Sequence, residues 1–150
     1  MTDAEITPAQ HRRLAITCNN TTWDAIEADR TPANDEEMLR RAYAAAYHWQ
    51  RAEGAVPENE ARAVWLLSKV HRLAGQPERA LHYADACLAV CDRHGIADFD
   101  LAYGLEARAR ALAALGRSEE AAEVWAAAKA VPVADADDRA VLEADLAEGP

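Results

Sequence analysis

Aromatic residues are scarce in this chain of 150 residues: they make up 6% of it, and only one is phenylalanine. A core poor in rings must be filled by smaller side chains, and most of the 51% hydrophobic content is alanine and leucine. Those residues lose little entropy in a helix. Runs of β-branched residues are few, and no stretch of strand length alternates apolar with polar, so sheet architectures drop out and an all-α fold is expected. Cysteine is limited to three residues. An odd number without a secretion signal argues for reduced thiols rather than a disulfide framework. No segment approaches the roughly 18 consecutive apolar residues that cross a bilayer. The opening Met1-Thr2-Asp3-Ala4-Glu5 lacks the basic-then-apolar pattern of a signal peptide, so a cytoplasmic protein without membrane contact is expected. Basic residues are the minority, 16 against 26 acidic ones, for a net charge of −10. Such a surface repels phosphate backbones, which sets nucleic-acid binding aside. Catalytic signatures are missing as well. There is no Gly-rich phosphate loop, no HExxH, no G-x-S-x-G and no Glu-x-x-His pair, so no catalytic residue, metal or cofactor is assigned.

What the chain does have is a small-residue pattern repeated in register. Ala45-x3-Trp49-x2-Ala52 is matched by Ala80-x3-Ala84-x2-Cys87 and by Ala121-x3-Trp125-x2-Ala128, in steps of 35 and 41 residues. Recurrence at this period marks stacked helical hairpins, in which each unit buries its apolar face only against its neighbour. The length suits one domain spanning residues 1–150.

Turn and cap residues divide the chain into seven helices. The first opens at Thr7-Pro8 and runs to about Ala28, with proline where a missing N–H costs nothing. After the Asp29–Asn34 loop, Asn34 or Asp35 caps a second helix that continues to Glu53 and stops at Gly54. The third runs from Pro57 to Gly75 and the fourth from Pro77 to His94-Gly95. Asp98 caps the fifth, which stops at Gly116. Ser118 caps the sixth, which ends before Pro132, and a last helix spans about Ala136 to Ala147. Gly75-Gln76-Pro77-Glu78-Arg79-Ala80 and Gly116-Arg117-Ser118-Glu119-Glu120-Ala121 read as one kind of tight turn, forcing the flanking helices into hairpins.

Leu67, Ser68, Gly75, Ala80 and Cys87, followed by Leu105, Ala109, Leu112, Gly116, Ala121, Trp125 and Ala128, resemble the tetratricopeptide repeat. The resemblance covers about residues 35–130. In the N-terminal pair it rests on Ala45, Trp49, Ala52 and Pro57, and the Asp29–Asn34 loop departs from the consensus. The strings Asn19-Asn20, Tyr47-His48-Trp49 and Asp98-Phe99-Asp100-Leu101 resemble those of a bacterial group of such proteins, from which no activity carries over. The implied architecture is a right-handed stack of about three antiparallel hairpins plus a C-terminal capping helix. In that helix Val141, Leu142 and Leu146 seal the stack, while Glu143, Asp145 and Glu148 face outward.

The resemblance also implies that the first helix of each hairpin lines a concave groove. Arg62, Trp65, Lys69 and Arg72 then fall on one stripe of the third helix, facing Tyr103, Glu106 and Arg110 of the fifth. Three cations around a tryptophan suit an acidic peptide of a protein partner; the plain alternative is a solvated helix face. The asparagines of a tetratricopeptide carboxylate clamp are missing from the stripe. A second candidate is a polar-aromatic pocket for a small molecule, formed by Asn19, Asn20, Trp23, His48, Trp49 and His71 beside Trp65, with a histidine as proton-transfer group. Cys87-x3-Cys91-x2-His94 has ligand-compatible spacing, but Cys87 occupies a small-residue core position, so no metal is assigned.

Overall fold

The computed structural model describes residues 5–150, and every regular element within them is an α-helix. In order these are α1 (Pro8–Glu27), α2 (Pro32–Trp49), α3 (Pro57–Leu73), α4 (Pro77–His94), α5 (Asp98–Ala114), α6 (Ser118–Ala130) and α7 (Ala136–Leu146). Helices α1 and α2, α3 and α4, and α5 and α6 pack as hairpins. Successive hairpins stack through α2 on α3 and α4 on α5, with α3 against α5, and α7 closes the stack against α5 and α6. No described helix is long and apolar enough to cross a membrane.

Local chemistry sets the helix ends. Thr7-Pro8 and Thr31-Pro32 start α1 and α2 in the same way, with threonine at the cap and proline in the first turn. Thr7 Oγ1 accepts from the Gln10 amide at 3.1 Å, and Gln10 Oε1 returns the bond to the Thr7 amide at 2.8 Å. Thr31 Oγ1 accepts from the Asn34 amide at 3.1 Å, so Thr31, and not Asn34 or Asp35, caps α2. Helix α2 also stops at Trp49, short of Glu53. There the chain leaves the helix so that the Glu53 amide can donate to the Pro8 carbonyl at 3.0 Å, pinning the hairpin's end to its beginning. Asp98 and Ser118 are first residues of their helices rather than caps. The Asp98 carboxylate instead accepts from the amides of Phe99 at 2.7 Å and Ala134 at 3.1 Å, joining α5 to the loop before α7.

The two tight turns are alike in detail. Gly75 and Gly116 both take the left-handed conformation, at φ 74° and 78°. The next amide in each turn reaches back to a carbonyl five residues earlier, Gln76 to His71 and Arg117 to Leu112, both at 2.9 Å. This geometry delivers Ala80 and Ala121 into the hairpin seams at 0% and 1% exposure. Ser68 Oγ crosses the α3–α4 seam to donate to the Ala80 carbonyl at 2.7 Å. Cys87 and Cys91 lie in the core with Ala61, Val90 and Ile96, whereas His94 is exposed.

Candidate functional site

Helices α1, α3, α5 and α7 enclose a cleft of about 350 Å³. Helix α1 contributes Asn19 and Trp23, α3 contributes Arg62, Trp65 and Leu66, α5 contributes Phe99, Asp100 and Tyr103, and α7 contributes Val141 and Asp145. Apart from the adjacent pairs Trp65–Leu66 and Phe99–Asp100, these positions lie three or four residues apart on each helix, which is how residues share one helical face. Trp65 is the central wall. Its ring stacks on Trp23 at 6.1 Å between centroids and meets Tyr103 edge-on at 5.6 Å. Its indole N–H donates to Glu106 Oε2 at 3.1 Å, which fixes the ring's tilt. Phe99 lies 4.7 Å from Tyr103 and extends the aromatic wall along α5.

All seven predicted groove residues, Arg62, Trp65, Lys69, Arg72, Tyr103, Glu106 and Arg110, fall on or beside this face. The charge pattern is not the bare cationic stripe expected from α3 alone, because α5 and α7 answer it with carboxylates. Arg62 binds Asp100 through two bonds of 2.8 and 3.1 Å. Arg110 pairs with buried Glu106, donates to the Asp145 carbonyl at 3.2 Å and reaches Glu148 at 3.4 Å. The Lys69 and Arg72 side chains have no hydrogen bond or ion pair among the described residues. The Lys69 ammonium rests instead against indole faces, 5.6 Å from Trp23 and 5.8 Å from Trp65. Burial first, and then each one's cationic neighbour (Arg72 for Lys69, Arg110 for Arg72), holds both below their ordinary pKa values, with Glu106 acting in the opposite sense.

The capping helix departs from the expected division of labour. Leu142 and Leu146 are buried as its apolar seal, but Val141 is 54% exposed at the cleft's edge. Asp145 does not face outward: it turns inward and accepts the Tyr103 hydroxyl. Burial first, and then this bond to a carboxylate, raises the Tyr103 phenol above its ordinary pKa. Glu148 does stay on the outside, 69% exposed, while its carboxylate reaches Arg110 at 3.4 Å.

The second candidate pocket does not assemble as one site, because its residues make contacts in three separate groups. Asn19 and Trp23 line the cleft, and Asn20 is exposed outside it. His48 pairs with His11 through their Nδ1 atoms at 2.7 Å, and Trp49 carries the Arg12 guanidinium 5.6 Å from its ring. His71 belongs to a network between α2, α3 and α4. Its Nδ1–H donates to Gln76 Oε1 at 2.7 Å, so its Nε2 accepts the Tyr43 hydroxyl at 2.8 Å. Tyr83 then lies 2.9 Å from the Tyr43 hydroxyl. Tyr47, His48 and Trp49 all meet the start of α1 at His11 and Arg12, two turns or more from Asn19 and Trp23. His71 meets Tyr43 one turn earlier on α2, and this spread along α1 and α2 is why the cluster divides.

Sequence reasoning missed Phe99, Asp100, Val141 and the inward turn of Asp145. Phe99 continues the stripe of Tyr103, Glu106 and Arg110 by one turn, a signal present in the spacing. Asp145 carried no such signal, because the docking angle of α7 decides where it points. Comparison with protein-family models, with curated proteins and with solved structures gives no match.

Proposed function

We propose that this protein is an interaction module of tetratricopeptide-like design that binds a peptide segment of a partner protein in the cleft between α1, α3, α5 and α7. One observation carries the reading. Partly exposed aromatic rings from three helices, Trp23, Trp65, Phe99 and Tyr103, converge on a cleft of about 350 Å³. That volume lies at the small end of ligand sites and admits one large apolar side chain. Aromatic anchors that exclude water dominate binding energy at interfaces. The volume also suits a small molecule, which is the competing reading; His48 and His71 play no part in it, since their contacts lie elsewhere. A displayed peptide library, selected on the wild-type protein and on Trp65→Ala, tests the proposal. Enrichment on the wild type that vanishes in the variant is the expected result. Enrichment that survives Trp65→Ala would place the partner site on another face.

A further inference from the structure

The charges around Trp65 narrow what such a peptide must carry. Two chemically distinct places share this one indole as a wall. On one side is the cleft with Trp23, Leu66 and Phe99. On the other is a narrow depression between Lys69, Arg72, Glu106 and Arg110 with no room inside it for a ligand, so a partner meets only the outer, half-buried ends of the two unpaired cations. In the cleft Arg62 is held by Asp100 and Tyr103 by Asp145, so apart from the Asn19 amide at its edge what remains open to a ligand is mainly apolar ring surface. In the depression Glu106 is occupied by Trp65 and Arg110, which leaves Lys69 and Arg72 half-buried and without a partner among the described residues. Half-desolvated cations with no directly bonded counter-charge are costly, and one incoming carboxylate relieves that cost.

We infer that the partner segment presents one apolar side chain to the cleft and one carboxylate side chain to Lys69 and Arg72, across Trp65. This rests on the peptide reading above and sharpens it. A run of acidic residues does not fit. Asp100, Asp145 and Glu148 border the same face, and the chain as a whole carries −10, so every carboxylate beyond the first meets like charge. The two ligand groups flank a single ring. In an extended segment, side chains two residues apart lie on one face about 6.7 Å from each other, so the apolar and acidic residues are separated by one residue.

The test uses an N-acetylated, C-amidated peptide of glycine and serine carrying one Phe and one Glu two residues apart, in both orders, with a Gln twin of each. Binding is followed by tryptophan fluorescence at low salt. The Glu peptide should bind about fivefold tighter than its Gln twin. The ratio should fall towards one in the Lys69→Met/Arg72→Met protein, whose fold is checked by circular dichroism. The Glu-against-Gln comparison on the wild type stands even if that variant is unstable. Equal binding of the twins, or a preference that persists in the double variant, overturns the inference while the peptide reading stands. Binding of 3-phenylpropionate as tight as that of the peptide overturns it in favour of a small acid. If neither these peptides nor any library peptide binds, the cleft reading itself fails.

Discussion

Along the hairpin seams Ala80, Ala84, Ala121 and Ala128 are 0 to 1% exposed, whereas the cleft walls are made of partly exposed rings, with Trp23 at 38%. Both regions are surfaces between helices of one stack, yet they are built oppositely. In the seams, small side chains let helix backbones approach until nothing is left between them. At the cleft, large and charged side chains from α1, α3, α5 and α7 hold the helices apart, and the gap is filled by rings, ion pairs and open space. The comparison teaches that the stack's geometry is set by its alanines, while its chemistry is confined to where the alanines stop.

The largest expected effect breaks the seam. Ala121→Trp should cost about 3 kcal/mol or more, because no adjoining space accepts an indole. Ala126→Trp, five positions on and exposed, should change stability by no more than about 0.5 kcal/mol. Chemical denaturation of the two proteins compares them directly, and equal midpoints would mean that the repeat register is wrong.

The next effect tests whether the cleft's charges are as finely set as the seam's volumes. Glu106 is 5% exposed and accepts from both Trp65 and Arg110, with Lys69 and Arg72 close by. Glu106→Ala should cost about 2–3 kcal/mol, since it leaves Arg110 and the Trp65 indole N–H without their shared acceptor and takes a nearby negative charge away from Lys69 and Arg72. Arg62→Ala should cost less, about 1–2 kcal/mol, because the Arg62 side chain is 60% exposed, although it leaves an Asp100 carboxylate that is only 11% exposed. A larger loss for Arg62→Ala than for Glu106→Ala would reverse the assignment of which pair holds the cleft.

A smaller effect sharpens the seam between successive hairpins. A Cβ on Gly104 would sit 2.9 Å from Leu88 Cδ2 and 3.3 Å from Cys87 Sγ, so α4 and α5 meet there without room for a side chain. Gly104→Val should destabilise by about 1–3 kcal/mol. Gly104→Ala should come out near neutral, because the helix-propensity gain of alanine over glycine, about 1 kcal/mol, offsets the displacement of flexible Leu88. If valine is tolerated as well as alanine in thermal melts, the close approach is not what positions α5.

How much of this was legible follows from the same contrast. The seam could be read because one residue type at one spacing determines it: Gly75 and Gly116 announce their turns, and Ala80 and Ala121 follow five positions later. The α3 stripe could also be read, since Arg62, Trp65, Lys69 and Arg72 share a face of one helix. What a single helix cannot reveal is its counterpart. The pairing of Arg62 with Asp100 and of Tyr103 with Asp145 depends on how α5 and α7 dock, and the separation of His48 from His71 depends on which neighbour each faces. Sequence spacing names the residues of a face; packing decides who meets them.

The smallest effect concerns polar groups buried outside the cleft, at the α2–α3–α4 junction. His71 is 4% exposed, and both of its nitrogens are satisfied in the neutral ring. Burial holds its pKa below the ordinary value of 6.5; the Gln76 bond opposes this, and Arg79 and His82 add to the lowering. The sign follows from proton uptake. Below pH 6.5 the unfolded chain takes a proton at this position while the folded protein resists it. Stability is therefore fully present above about pH 6.5 and is lost as the pH falls towards the folded pKa, by at most about 1.4 kcal/mol per pH unit for one proton. His48, lowered by its own burial, by His11 and by Arg51, adds to the same window, though less because it is more exposed. Urea midpoints should thus fall between pH 7 and pH 5.5, and the slope should flatten in His71→Gln even if that variant is less stable throughout. An unchanged slope in His71→Gln, together with a His71 NMR titration centred at or above pH 6.5, would show that the Tyr43–His71–Gln76 network does not hold the ring neutral.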